Sequence, residues 1–278
     1  MTDDRVSRRR VLKGSVAFTA TGLAGCLGGS SGPLSNPIIQ ETAVSGRSLV
    51  VTLQSDHSVS TLNVIGPSGS QFRSASVATG ATSVEVPLFD YRRGWYYEPG
   101  EYELVAVSDG EEVASTTVEL VPDLQVTDVQ QYTEGRPTPS NRANLRVTVE
   151  NMGTGPTWVY YVGYPGAPYS PATNVPTDEA ARTGPLLHLE QPQSVSEVIV
   201  APGESTTVIG RRSPLLLSSD DECGGLTVEM TTIVATGVGP NARQNIRATL
   251  NGEPLRANFR GTCHDIVIDV PEGTATDG

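Results

Sequence analysis

The sequence predicts an all-β fold in which two β-sandwiches follow each other along the chain. After residue 37, apolar and polar residues mostly alternate, as in residues 48–53 (SLVVTL), and this period is typical of half-buried strands. The 278 residues include 29 glycines and 20 prolines, which suit many tight turns. Short strands at regular spacing, with turn signals between them, favour sandwiches over helical folds.

The first predicted sandwich spans residues 38–122. Asp109-Gly110 lies between two alternating runs, and this dipeptide is a strong signal of a β-hairpin. Gly-Pro and Pro-Gly pairs mark further turns at residues 66–69 and 99–100. The candidate strands of this half are residues 48–53, 61–65, 71–77, 82–87, 101–108 and 111–121.

Residues 98–106 (EPGEYELVA) carry the clearest motif of the first half. They resemble the P-G-x-Y-x-L turn and strand of immunoglobulin-like and fibronectin-type modules. The resemblance implies an immunoglobulin-like sandwich in which Tyr102 forms a tyrosine corner, with its hydroxyl bonded to nearby backbone. It concerns the fold alone and implies no activity.

The second predicted sandwich spans residues 123–270 and includes an insertion at residues 163–193. Its motif V-x-V-x-N-x-G-x-G, at residues 147–155, resembles the CARDB-like and adhesion-type sandwiches of prokaryotic surface proteins. That resemblance implies that Asn151 and the following glycines form the turn after the second strand. The candidate strands of this half are residues 124–132, 157–162, 226–234, 245–250, 255–259 and 265–270, with a hairpin turn at 250–253.

The insertion is rich in Pro and Tyr at its start. Within it, residues 177–182 (TDEAAR) begin with acidic residues, which suit the first turn of a short helix. The last residues of the chain, 271–278, are expected to fray.

The N-terminal segment has the composition of an export signal. Arg8, Arg9 and Arg10 precede an apolar run at residues 14–23 that is much shorter than the ~20 residues of a membrane-spanning helix. A basic start, a short apolar middle and small residues at the end are typical of a secretory signal. The paired arginines resemble the signal of the twin-arginine route, which implies a signal peptide at residues 1–25.

Leu23-Ala24-Gly25-Cys26 closes this segment and resembles a lipobox. The resemblance implies cleavage before Cys26 and a two-chain lipid on its thiol, which would hold the protein stably on a membrane. Residues 26–37 are then a flexible Gly- and Ser-rich tether. We therefore expect a lipoprotein anchored through Cys26 at the outer face of the cytoplasmic membrane.

The chain is strongly acidic. Its formal charge is −12, and cleavage after residue 25 removes five basic and two acidic residues, leaving −15. This charge argues against nucleic acid as a partner, because phosphates are bound by Lys and Arg. Lys13 is the only lysine, so the exported part has none. Such a surface resembles proteins of salt-loving archaea, and a GC-rich genome that favours Arg codons is the alternative explanation.

Three cysteines are present, and Cys26 is assigned to the lipid. Cys223 and Cys263 then remain, and outside the cytoplasm two remaining cysteines are expected to form a disulfide. A zinc site is the alternative, with His264 as third ligand and Asp220 and Asp221 nearby.

Aromatic residues concentrate in two segments. Within residues 89–97 they are interleaved with arginines, and exposed aromatics beside polar groups can stack on sugars or anchor a protein partner. The candidate ligand contacts are Arg92, Arg93, Trp95, Tyr96 and Tyr97, while packing against edge loops is the alternative. In the second set, Trp158 and Tyr160 are expected to face the core, and Tyr161, Tyr164 and Tyr169 to pack edge loops, while a ligand surface is the alternative.

No known catalytic motif occurs in the chain. His57, His188 and His264 have neither triad nor metal spacing, and the acidic run at 219–222 lacks the alternating spacing of a calcium loop. We therefore predict no catalytic residue, metal or cofactor.

The leading functional hypothesis is a non-catalytic binding or structural module that contacts surface proteins or polysaccharide. The alternative is an accessory enzyme or metal-binding factor that uses the insertion. A solute receptor is disfavoured because its alternating helices and strands are missing.

Overall fold

A computed structural model describes residues 37–169, 175–218 and 220–271. The predicted signal peptide, Cys26, most of the tether and nearly all of the C-terminal tail lie outside these residues. The described part of the chain is almost entirely strands and turns, with antiparallel pairing throughout. The predicted all-β class is confirmed. Within the residues that the structure describes, no helix is long and apolar enough to cross a membrane.

The first half of the described chain forms a sandwich of two sheets. One sheet has the order β1–β2–β5 and the other has the order β4–β3–β8–β9, while β6 and β7 form a small ribbon beside them. The strands are β1 (Ile39–Ser45), β2 (Ser48–Leu53), β3 (Thr61–Ile65), β4 (Gln71–Ser76), β5 (Ser83–Pro87), β6 (Phe89–Asp90), β7 (Trp95–Tyr96), β8 (Gly100–Ser108) and β9 (Glu111–Leu120).

Alternation along these strands gives each sheet one buried face. Leu49, Val51 and Leu53 of β2 are buried, as are Leu62 and Val64 of β3 in the facing sheet. Successive side chains of a strand point to opposite faces, so this pattern builds one core between the two sheets. All six strands predicted for this half agree with the observed strands to within one residue at each end, and 48–53 and 61–65 agree at both ends.

Two predicted local structures of the first half are confirmed. Asp109 and Gly110 both have positive φ, at 51° and 85°, and connect β8 to β9 as the hairpin dipeptide requires. The Tyr102 hydroxyl donates to the Glu98 carbonyl at 2.8 Å and accepts from the Glu98 N–H at 3.0 Å. Tyr102 is therefore a tyrosine corner that fixes the turn before β8.

The second half forms two larger sheets. Their orders are β10–β11–β15–β13 and β14–β12–β17–β18–β19–β16. The strands are β10 (Leu124–Gln131), β11 (Leu145–Asn151), β12 (Thr157–Gly163), β13 (Leu189–Gln191), β14 (Ile199–Val200), β15 (Ser205–Gly210), β16 (Leu217–Ser218), β17 (Leu226–Thr236), β18 (Ala242–Ala257) and β19 (Arg260–Asp269).

The hairpin turn predicted at residues 250–253 is wrong. Strand β18 runs through these residues, and its pairing with β19 shifts register between Asn251 and Pro254. A β-bulge accommodates both the positive φ of Gly252 and the missing N–H of Pro254 without ending the strand. The chain reverses later, at Asn258 and Phe259, where Asn258 has φ 55°.

The predicted turn after the second strand of this half is confirmed, and Asn151 organises it. Its buried side-chain amide donates to the Gly155 carbonyl at 2.8 Å and to the Val200 carbonyl at 2.9 Å. Its side-chain oxygen accepts from the N–H groups of Asp123 and Gly153, each at 3.1 Å. One side chain therefore holds the turn against the three-residue connection between the two halves.

Short helices occur in the connections of the second half. They are α1 (Pro139–Arg142) and α2 (Glu179–Thr183), together with 3₁₀ turns at Pro185–Leu187 and Val195–Val198. Helix α2 confirms the helix predicted within the insertion, with Asp178 as its N-cap residue.

The predicted disulfide between Cys223 and Cys263 is also confirmed. It joins strand β19 to the loop that precedes β17, with the buried Cys263 on the strand side. The covalent link therefore fixes the irregular loop to the largest sheet.

Each sheet contains strands from only one side of Pro122 in the sequence. The hydrophobic core, however, is continuous between the two halves. The described residues pack as one unit.

Candidate functional site

Residues 89–97 form a compact excursion at the end of the first sandwich. Strands β6 and β7 pair with each other, and a 3₁₀ turn at Tyr91–Arg93 connects them. The Asp90 carboxylate accepts from the Arg92 N–H at 3.1 Å, which caps the turn. Gly94 closes it with φ 67°. The sequence therefore builds a stiff loop that presents consecutive bulky side chains in alternating directions.

Three of the five aromatic residues of this loop point inward. Phe89, Tyr91 and Tyr97 are buried. The Tyr97 hydroxyl donates to the Pro156 carbonyl of the second sandwich at 2.8 Å. Tyr97 was predicted as a ligand contact, but its side chain is fully buried between the two halves, so it is not available to a ligand.

Trp158 of β12 is the centre against which the loop packs. Its ring centroid lies 4.7 Å from that of Phe89, 6.3 Å from Tyr91 and 6.1 Å from Tyr96. Its indole N–H donates to the Arg182 carbonyl at 3.0 Å. Gly237 packs directly against the indole, since a Cβ there would overlap the ring. The junction is therefore an aromatic core shared by both halves.

Most of the second aromatic set lies in the core. Trp158, Tyr160, Tyr161 and Tyr164 are buried, and Tyr169 is partly buried against the core. The prediction that Trp158 and Tyr160 face the core is confirmed, whereas Tyr161 and Tyr164, predicted to pack edge loops, are buried in the core as well.

The buried tyrosines should make stability fall at high pH. Burial, reinforced by Tyr102, raises the pKa of Tyr97 far above its ordinary value of 10.0, and burial acts likewise on Tyr164. The unfolded chain releases these protons above pH ~10 while the folded chain keeps them. Stability should therefore be level below pH ~10 and decrease above it by about 1.4 kcal/mol per pH unit for each such tyrosine.

The Tyr97→Phe variant tests this origin. It removes one buried ionisable group, so its free energy of unfolding should decrease about 1.4 kcal/mol less per pH unit than that of the wild type above pH ~10. Urea unfolding across this range measures the slope. An unchanged slope in Tyr97→Phe would show that Tyr97 is ionised in the folded state.

The remaining residues of the loop are available to solvent. Tyr96 is 40% exposed, and Arg92 and Arg93 are exposed. Trp95 is partly exposed, with the Arg73 guanidinium carbon 3.7 Å from the centre of its ring. A cation at this distance is held by the ring's π electrons. The structure thus places four of the five predicted contact residues at the surface.

Three adjoining clefts follow the line where this loop meets the second sandwich. Their volumes are about 330, 230 and 470 Å³. The first two share Tyr96 and Arg182, and the second and third share Tyr91. We call the three clefts together the junction groove. Adjoining clefts with shared walls suit an extended ligand better than a compact one.

Arg182 of helix α2 is the central polar group of the groove. Its Nη1 donates to the Tyr96 hydroxyl at 3.4 Å. Partial burial disfavours the charged guanidinium, but hydrogen bonds to the hydroxyls of Tyr160 and Tyr96 outweigh it and raise the pKa of Arg182. A permanent positive charge therefore lies between two tyrosine hydroxyls.

Sequence reasoning missed Arg182 and the groove. Residues 177–182 predicted a helix, but nothing in their spacing indicated that this helix would lie against residues 89–97, more than eighty positions earlier. The contact of Tyr96 with Arg182 depends on how the two sandwiches meet.

The alternative metal site is not assembled. Cys223 and Cys263 are joined to each other, and His264 is exposed and hydrogen-bonded to Asp265. His188 packs its ring edge against Tyr161. Within the described residues, no three His, Cys, Asp or Glu side chains are grouped to hold a metal ion.

No protein-family model and no curated protein matches this sequence. Among solved structures, a two-domain fibronectin type III segment from chicken tenascin is 15% identical, with a TM-score of 0.27 over 76% of this chain and 96% of that chain. A β-glucuronidase from glycoside hydrolase family 2 is 11% identical, with a TM-score of 0.22 over 81% of this chain.

The FN1–FN3 domains of chicken CNTN1 are 13% identical, with a TM-score of 0.23 over 78% of this chain and 65% of that chain. The match to the β-glucuronidase spans only 20% of that enzyme. All three TM-scores are below 0.5, so the fold assignment rests on the strand order and pairing of this chain itself.

Proposed function

We propose that this protein is a lipid-anchored, non-catalytic binding module that holds a linear surface polysaccharide in the junction groove. The observation that carries the proposal is the groove itself, in which an exposed tyrosine and a charged arginine line adjoining clefts between two sandwiches. Aromatic faces stack on sugar rings, and guanidinium groups donate to their oxygens.

The contacts that hold the lining residues of the groove in place favour binding by a preformed surface. Tyr96 packs on Trp158, and Arg182 belongs to helix α2 and accepts a hydrogen bond from the same indole through its own backbone carbonyl. Because both groups are held before a ligand arrives, little ordering cost would be paid on binding. A long chain could contact successive clefts with successive sugar rings, which suits a polysaccharide.

The location of the module is argued from the N-terminal sequence and the cysteines. The Cys223–Cys263 disulfide fits an oxidising compartment, and Arg8, Arg9, Arg10 and Cys26 supply the proposed export signal and lipid anchor. The test compares the native protein with a Cys26→Ser variant by intact mass and by membrane partitioning. We expect the native form to lack residues 1–25, to carry a lipid mass and to stay with membranes. The variant should show none of these three properties. A native protein that keeps its N-terminus and is soluble would refute the anchor.

The groove is tested by two substitutions of its lining. Tyr96→Ala removes the exposed ring and Arg182→Gln removes the charge, and each should weaken binding to polysaccharide isolated from the producing cell's envelope about tenfold. Phe259→Ala is the matched control, because Phe259 is 85% exposed at the tip of the β18–β19 hairpin, and it should bind like the wild type. Calorimetric titration measures all three, with thermal unfolding as the check on folding. Equal affinities in all variants would refute the groove as the site.

A further inference from the structure

All four arginines of residues 37–122 are gathered at one end of the first sandwich, around residues 89–97. Arg92 and Arg93 belong to the loop, and Arg73 covers Trp95. The Arg47 carbonyl accepts from the N–H of Leu88, the residue just before the loop, at 3.0 Å. The same stretch of chain holds eleven Asp and Glu residues, of which only Asp90 lies within residues 89–97. A positive patch therefore lies on an otherwise acidic half.

The third cleft of the junction groove opens into this patch. Its volume is about 470 Å³, and Arg47, Arg92 and Tyr91 line it from the first sandwich. Ser194 and Ser196 line it from the second sandwich, with their hydroxyl oxygens 2.7 Å apart. Two arginines of the first sandwich and two serines of the second thus line one cavity. The guanidinium groups can donate to an anionic oxygen, and the serine pair has one hydroxyl proton left to donate, because the other is used between the two hydroxyls.

One carboxylate shares this cleft, and its contacts limit its effect. Asp90 accepts from the Arg92 backbone N–H and lies 3.7 Å from the Nε of Arg93. It is thus held by the turn and partly balanced by a third arginine. The cleft carries two arginines against this single carboxylate, so its net charge remains positive.

We infer that the third cleft binds the acid group of an acidic polysaccharide, either a carboxylate or a sulfate. This inference rests on the proposed function, since it names the sugar class that the groove would select. Guanidinium groups bind both anions in paired hydrogen bonds, and the hydrogen-bonded serine pair supplies one further donor. A neighbouring sugar ring would lie along Tyr96, the exposed aromatic wall of the adjoining cleft.

The experiment compares acidic polymers with neutral polymers of the same backbone. Polygalacturonate is titrated beside its methyl ester, and dextran sulfate beside dextran, so that the two pairs separate a carboxylate from a sulfate. At least one acidic polymer should bind about tenfold or more tightly than its neutral partner. Raising the salt concentration should weaken binding of the acidic polymer more than binding of the neutral one, because ions screen charge pairs.

Substitutions assign the selectivity to the cleft. Arg47→Gln and Arg92→Gln should each weaken binding of the preferred acidic polymer about tenfold, and the double variant Ser194→Ala/Ser196→Ala should weaken it less. Arg136→Gln is the matched control, since Arg136 is an exposed arginine of the second sandwich outside the groove. All these side chains except Ser194 and Ser196 carry a positive charge, so the control also corrects for net charge.

The outcomes separate this inference from the proposed function. Equal binding of the acidic and neutral polymers would overturn the acid site and leave the groove as a polysaccharide site. If no polymer bound, the envelope polysaccharide included, both the acid site and the proposed function would be overturned. Polyglutamate that binds as tightly as the polysaccharide, with the same loss in Arg47→Gln, would assign the cleft to an acidic protein and overturn the inference. If Arg136→Gln lost as much affinity for the acidic polymer as Arg47→Gln, only the net charge of the protein would matter, and the inference would be overturned.

Discussion

Replacing Trp158 with alanine should destabilise the protein by about 3–5 kcal/mol, the usual cost of removing a large buried aromatic side chain. The indole is 1% exposed and contacts three aromatic residues of the first sandwich. Its loss would leave a cavity at the junction and would free the Arg182 carbonyl from its hydrogen bond. Urea unfolding, followed by circular dichroism, measures the difference in free energy.

Trp95→Ala provides the matched control for this result. Trp95 is the other tryptophan of the chain, and it is partly exposed with Arg73 as its cationic partner. Its replacement should lower the free energy of unfolding by about 1 kcal/mol. If both variants lost the same small amount, Trp158 would not be the centre of a shared core.

Removing the disulfide should cost about 4 kcal/mol in the chain-entropy model, since Cys223 and Cys263 are separated by 40 positions. The test is the double variant Cys223→Ser/Cys263→Ser, because it leaves no unpaired thiol. Its free energy of unfolding is compared with that of the wild type in the absence of reductant.

Reductant supplies the internal control for the disulfide. Dithiothreitol should lower the stability of the wild type towards that of the double variant and should leave the variant unchanged. A wild type that is equally stable with and without reductant, after reduction is verified by mass, would contradict the expected contribution. The cysteines would then serve only to place the loop before β17.

Local signals in the sequence predicted the local structures well. Tyr102 and the Asp109-Gly110 pair each act within a few residues, so their turn and hairpin could be derived without knowledge of the rest of the fold. The Asn-Gly pair at residues 251–252 failed for the opposite reason. Strand β19 pairs with β18 on both sides of it, and this long-range pairing converted a turn signal into a bulge. Whether a strand ends depends on its partner as well as on its own residues.

The candidate site was predicted only in part for the same reason. Arg92, Arg93, Trp95 and Tyr96 were correctly expected at the surface, whereas Tyr97 is buried. Trp158 covers one side of the loop from about sixty positions further along the chain, and Pro156 accepts the Tyr97 hydroxyl. The sequence shows that the loop is rich in aromatic residues but does not show which of its faces another element will cover.

The shared aromatic core has a consequence for how the chain can be divided. A fragment that ends near residue 122 would keep both sheets of the first sandwich but would expose Phe89, Tyr91 and Tyr97 to water. The complementary fragment would expose Trp158. Large exposed apolar patches promote self-association, so each fragment is expected to aggregate when it is expressed alone. The smallest soluble piece of this protein should therefore contain both sandwiches, although every sheet lies within one of them.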